Sequence, residues 1–194
     1  MNPTRFLLPL ILCCGFLGSA QYKYEREFRI LKKQFPEKAL LFLEDKIDGA
    51  KRVRYYKEVD STKISYETKL KKDKLHYSIE FNEEGVLEDI EITINKVDVP
   101  NESWQNIEKY LNGNFQKSKI SKIQQQYPAL DGESPGHTLK NAFQNLLLPS
   151  LNYELIISAK EDGDYQQYEI LFDAEGSFKK LRKSLPPNYD HVLY

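Results

Sequence analysis

Cysteine is almost missing from the chain of 194 residues: it occurs only as Cys13 and Cys14. Beyond them there is no thiol for a disulfide, a nucleophile or a sulfur metal ligand. Histidine is nearly as scarce, and His76, His137 and His191 lie far apart, whereas a zinc site is written as close pairs of His or Cys. The sequence therefore predicts no metal and no cofactor. An excess of one charge is absent as well, with 28 Lys and Arg against 29 Asp and Glu. That excludes a dedicated nucleic-acid binder, whose phosphate contacts need a basic stripe. After the first twenty residues no apolar run approaches the ~18 residues that a membrane-spanning helix requires.

What is present begins with a targeting segment. "MNPTR" carries a positive side chain, "FLLPLILCCGFL" is a short apolar core, and Gly18 and Ala20 are small residues ahead of Gln21. Residues 1–20 are read as a signal peptide cleaved after Ala20. A lipid anchor on Cys13 or Cys14 is the weaker reading, because Leu12 and Cys13 precede them where lipoprotein signals want Gly, Ala or Ser. The mature chain is expected to be soluble and exported, periplasmic or secreted.

One sentence is written twice. "YSIEFNEEGVL" from Tyr77 to Leu87 returns as "YEILFDAEGSF" from Tyr168 to Phe178. In the first copy Leu75, Tyr77, Ile79 and Phe81 alternate with His76, Ser78 and Glu80, the period of a half-buried strand. Asn82 and Gly85 hold the first and fourth places of a type I turn. Ile90, Ile92 and Ile94 continue on a second strand, and the change of parity after Leu87 predicts a bulge near Glu88 and Asp89. Upstream, "RVRYYKEV" and "KISYETKL" alternate in the same way, giving four antiparallel strands between Arg52 and Asn95. Phe28, Leu31 and Phe35 recur at helical spacing before Pro36, and "PEKALLFLEDKI" can begin a second short helix.

The second half repeats this order at nearly one offset. Ile120, Ile123 and Tyr127 before Pro128 stand for Phe28, Leu31 and Phe35 before Pro36, "TLKNAFQNLLLP" for the second helix, and "NYELIISAK" and "YQQYEILFDAEG" for strands. Between the copies, Trp104, Ile107 and Leu111 mark one face of a helix. "ALDGESPGHT", residues 129–138, reads as a loop insertion, and the prolines of "SLPPNYDHVLY" as the end of the last strand. The expected fold class is α+β: two related modules, residues 21–97 and 98–194, each with helices packed on an antiparallel sheet. Each is too small for a robust core of its own, so the two should pack together and unfold as a unit.

A helix ending in an aromatic residue and Pro, followed by an antiparallel sheet with a "Y-x-x-x-F-(N/D)-x-x-G" hairpin, resembles the PepSY-like modules of exported bacterial proteins. The tandem order is similar to the β-lactamase-inhibitor-like arrangement of paired helix-plus-sheet repeats. The resemblance implies a protein that binds or inhibits other proteins, often peptidases, or an accessory domain of the cell envelope.

No catalytic constellation emerges. Ser134 and His137 share a loop, but without a strand-turn-helix elbow or an orienting acid. Glu83, Glu84 and Glu175 flank the hairpin turns without the regular oxygen spacing of a calcium loop. "KLKKDK" at Lys69–Lys74 reads as a solvated hairpin tip, and Trp104 as a core anchor. Of the 13 tyrosines, Tyr55, Tyr66, Tyr77 and Tyr168 point inward, whereas the outward Tyr56 and Tyr165 are candidates for a binding surface. On the first module the outward face, Ser65, Glu67, Lys69, His76, Ser78 and Glu80, is expected to be solvated and to need no partner. On the second module the outward positions include Ile156, Tyr165 and Leu171, an apolar set that must be covered by the chain's own first module or by residues 129–138, or by an external protein. The sequence thus predicts a non-catalytic, exported protein-binding module, an inhibitor or accessory factor of an envelope or secreted protein, with Tyr56, Ile156, Tyr165 and Leu171 as candidate contacts. The alternative is a carrier of a small lipid or glycan.

Overall fold

The computed structural model describes residues 21–23, 25–60, 63–161 and 163–184. The expected signal peptide, its expected cleavage site and the proline-bearing tail with His191 lie outside the described residues. Ten strands form one sheet in the order β1-β10-β9-β8-β7-β6-β5-β4-β3-β2. They are β1 (Gln21–Lys23), β2 (Glu25–Ile30), β3 (Lys51–Asp60), β4 (Lys63–Lys72), β5 (Leu75–Asn82), β6 (Leu87–Ile94), β7 (Ser118–Pro128), β8 (Asn152–Glu161), β9 (Asp164–Asp173) and β10 (Phe178–Ser184). Every pairing is antiparallel except that of β1 with β10. The helices are α1 (Glu37–Leu43), α2 (Asn101–Asn114) and α3 (Pro135–Phe143). The class is α+β, and the sheet is single: β6 pairs directly with β7, so the halves share one sheet where two were expected.

The sheet also closes on itself. β1 and β2 are separated by one residue in sequence and occupy its two ends. Arg182 of β10 reaches Asp60 of β3, Nη1 to Oδ2 at 3.8 Å, from the far side of the sheet. The result is a barrel clothed in helices on part of its outer surface.

The apolar core lies between the barrel's outer face and the helices. Ala39 and Leu43 of α1, Trp104, Ile107 and Leu111 of α2, and Leu139 and Ala142 of α3 cover Phe81, Ile79, Ile90, Ile92, Leu155, Ile157, Ile170 and Phe172. The Phe35 ring sits among Tyr55, Tyr66 and Phe81, with centroids 5.0–5.8 Å away. Tyr110 stacks on Phe178 and meets Phe172 edge-on.

The repeated stretches form two hairpins of one design. Asn82 Oδ1 accepts from the backbone of Glu84 and Val86, and Asp173 Oδ1 from that of Glu175 and Ser177. Gly85 and Gly176 close the turns at φ 73° and 81°. The predicted bulge falls at Glu88, where the register moves from Glu80↔Asp89 to Phe81↔Leu87, and its counterpart is Lys179. Each hairpin backs onto a helix start. A Cβ on Gly85 would meet Ala39 N at 3.0 Å, and one on Gly176 would meet the Ser103 carbonyl oxygen at 2.1 Å.

Three expectations need correction. Phe28 and Ile120–Tyr127 lie on strands β2 and β7, and only a three-residue 3-10 turn, Lys32–Gln34, precedes α1. In β7 an extra residue, Ser121, shifts the register between Ile120 and Lys122, so Ile120 and Ile123 reach the same face at a spacing that imitates a helix. The 3-10 turn and Pro36 before α1 are matched by Lys96–Asp98 and Pro100 before α2, so the partner of α1 in the second half is α2. α3 is additional, between β7 and β8. Within the expected loop, Ser134 caps α3 and Pro135 begins it, so His137 and Thr138 are helical.

Candidate functional site

The barrel's inner face is polar. Side chains that alternate with the core point inward from every strand from β2 to β10 around a hollow of about 310 Å³. Its wall contains nine carboxylates, among them Glu58, Glu67, Glu80, Asp89, Glu91, Glu154 and Glu169, against four cations, Lys63, Lys69, Lys122 and Arg182. The sheet register makes this crowding: Glu67 stands opposite Glu80 and Glu80 opposite Asp89 across β4, β5 and β6. Like charges directly opposite one another on a sheet repel.

The site relieves this in two ways. Gln126 Nε2 donates to Asp89 Oδ2 at 3.1 Å, Gln124 Nε2 donates to Glu91, and Asn152 Nδ2 donates to Gln126 Oε1 at 3.0 Å. The second is a raised affinity of the carboxyls for protons. Burial pushes Asp89 well above the usual carboxylate range, helped by Glu80 and Glu154. Burial does the same for Glu91, with Glu154 and Asp89 adding and Lys122 opposing. Glu80 is also raised, chiefly by burial, against the opposing effects of Ser65 and Lys63.

Lys69 shows what the wall can hold. Its Nζ lies 2.9 Å from Glu67 Oε2 and also bonds Glu27 Oε2. Burial works against its charge, but Glu67 and Glu27 outweigh burial and hold it above the usual lysine range. Glu27, Glu58 and Glu67 bring carboxylate oxygens within 4.8 Å of one another, a set that would suit a divalent cation were the Lys69 ammonium not already bonded to two of them. Arg182 spans the seam, with Nη2 3.4 Å from Glu169 and Nη1 near Asp60.

A second cavity, of about 230 Å³, adjoins the first through Lys69, Lys122 and Gln124. Its remaining basic side chains are Arg52, Arg54, Lys71 and His76, and its lining contains no carboxylate. Tyr56 belongs to this wall, under Lys69 Nζ at 4.8 Å from the ring centre.

The four predicted contact residues share the inner face but form no single patch. Ile156 lines the acidic hollow and Tyr56 the basic one, while Tyr165 and Leu171 line neither. Leu171 is half-buried opposite Glu154. Tyr165, at the start of β9, is 59 % exposed. Ile156 shares the hollow with Glu27, Glu58, Asp60 and Glu67 of the first half, and no residue of 129–138 lines it. The expected solvated face of Ser65, Glu67 and Glu80 is likewise interior wall, with Glu67 only 8 % exposed. Alternation reports two faces but cannot tell bulk water from the inside of a barrel. The available signal was acidity: Glu58, Glu67, Glu80, Glu91, Glu154 and Glu169 recur on the polar face of successive strands. Ser134 and His137 serve the α3 cap, where Ser134 Oγ accepts from the His137 backbone and the ring meets Glu133.

No family model matches the chain, and no curated protein sequence matches it. Among solved structures it is similar to a DUF2874 family protein of Bacteroides uniformis, with TM-score 0.50 and 10 % identity over 77 % of this chain and 89 % of that one. That likeness is one of fold. A DUF2874 family protein of Bacteroides ovatus has TM-score 0.49 and 11 % identity over 82 % and 93 % of the two chains. A BLIP-like protein of Bacteroides fragilis has TM-score 0.47 and 9 % identity over 82 % and 93 %. No helix among the described residues is long and apolar enough to cross a membrane.

Proposed function

We propose that this chain is an exported, non-catalytic binding protein of the cell envelope that receives a small cation-bearing ligand inside its barrel. Its two passages of 3-10 turn, helix and four strands would be copies of one duplicated unit. The leader-like residues 1–20 support export. The observation that carries the binding site is the hollow of about 310 Å³ walled by nine carboxylates and four cations, a volume and shape suited to a small molecule. A barrel of this strand number leaves room for side chains or for one small ligand. The polar wall disfavours a lipid. Lys69, bonded by Glu27 and Glu67, is an internal example of the ammonium recognition proposed.

A partner protein is the second reading, favoured by the exposed ring of Tyr165 with Leu171 as a further contact; Tyr56 and Ile156, which line the two cavities, would meet only a part of that partner that enters the barrel. Calorimetric titration with spermidine separates the two. The interior reading expects saturable binding that the pair Glu80→Gln and Glu91→Gln weakens at least tenfold and Tyr165→Ser leaves unchanged. Equal heats for the wild type and the interior variant would discard it. Loss of an envelope partner on Tyr165→Ser, with no spermidine binding, would favour the second.

A further inference from the structure

The two cavities have opposite character and meet inside one barrel. The larger is rich in carboxylates, and the smaller presents Arg52, Arg54, Lys71 and His76 and no acid. An amine alone would satisfy the first and leave the second unused, since cations repel it there. An anion alone has the converse difficulty. We infer that the ligand of the interior is dipolar: its ammonium end lies among the carboxylates and its anionic end at the basic mouth. This rests on the interior being the binding site, and it names the ligand class.

The strands set the ligand's length. On β4 the inward positions run Lys71, Lys69, Glu67, so Lys71 at the mouth and Glu67, the acid on that strand, are four residues apart. At ~3.3 Å per residue that is about 13 Å along the strand. A single amino acid, whose backbone charges flank one carbon, is too short. An extended peptide of three or four residues with free ends matches, at ~3.3–3.6 Å per residue. Lys71, at the outer end of that span, is placed to take a terminal carboxylate as a point charge, and Arg54, opposite Lys69 on β3, lies one inward position deeper on the same wall. Lys69 and Lys122 are shared by both cavities; Lys69 is already balanced by Glu27 and Glu67, and Lys122 acts on Glu91.

The experiment titrates the full mature chain with tetra-alanine, with its N-acetyl form, with its C-terminal amide, and with spermidine. Tetra-alanine should bind, and each blocked form should bind at least tenfold more weakly. Arg54→Ser with Lys71→Ser, at the mouth of the barrel, should reduce free tetra-alanine to the level of the amide and leave spermidine unaffected. The inference is overturned if the amide binds as tightly as the free peptide, if the mouth variant weakens spermidine and peptide alike, or if spermidine binds and tetra-alanine does not. In each of those cases the interior remains a site and only its dipolar character fails. If neither the peptide nor spermidine binds, the inference and the reading beneath it fall together.

Discussion

At the scale of single residues, a hairpin glycine set beside a loop glycine shows how far turn chemistry reaches into tertiary structure. Gly176 has φ +81° and Gly132 has φ +82°, so an alanine at either position bears the same left-handed backbone cost, about 1–2 kcal/mol. Their surroundings differ. Nothing lies within 4 Å of a Cβ on Gly132, whereas at Gly176 the Ser103 carbonyl oxygen would be 2.1 Å away. That oxygen belongs to α2, which cannot retreat without breaking the bonds from Ser103 Oγ to Ala174 O and from Asn106 Nδ2 to Glu175 O. Gly176→Ala should therefore cost about 1–3 kcal/mol more than Gly132→Ala, the usual range for forcing atoms into a packed site. Urea unfolding of the two variants measures the difference. Equal losses would mean that the second hairpin is not seated on α2.

At the scale of elements, a fragment of residues 21–97 should not fold by itself. It retains α1 and β2–β6, but β6 would lose its partner β7 and β1 would lose β10, leaving an open sheet with an unpaired edge. Expressed alone it should show no sharp thermal transition by circular dichroism. A cooperative melt like that of the whole chain would refute the shared sheet. The elements legible in the sequence were those fixed by neighbours along the chain. The hairpins were read from Asn82, Asp173 and the glycines, α2 from Trp104, Ile107 and Leu111, and the bulge from the parity change after Leu87. β2 and β7 were misread because local spacing was misleading: Leu31 is an exposed residue just before a 3-10 turn, and Ser121 adds one residue to β7. The pairing of β6 with β7 and of β1 with β10 leaves no local mark at all. The candidate site showed in the sequence only as acids recurring on the polar face, since only closure turns the faces of Glu67 and Ile156 into an interior.

At the scale of the whole molecule, closure places more acid than base inside a barrel, and this gives stability an unusual dependence on pH. Asp89, Glu91 and Glu80 all have folded values raised above those of an unfolded chain, chiefly by burial. In that window the folded state binds more protons than the unfolded state, so stability decreases as pH rises. Their favourable condition is complete below the ordinary carboxylate range, near pH 4, and is lost progressively as pH climbs through their raised values. Glu108 and Glu161, lowered by bonds to Lys96 and Lys183, act in the opposite sense and lose their contribution only as pH falls below that range. Lys69, held above the usual lysine range, contributes throughout. The melting temperature of the ligand-free protein should therefore peak on the mildly acid side of neutrality and decline toward pH 8. Asp89→Asn with Glu91→Gln keeps the shapes while removing the charges, so it should flatten that decline and raise the melting temperature at pH 8. Melting curves collected from pH 4.5 to 8.5 on both proteins decide the matter. A wild-type melting temperature that rises steadily to pH 8, or a variant with an unchanged slope, would show that these carboxyls are not enclosed as the barrel requires.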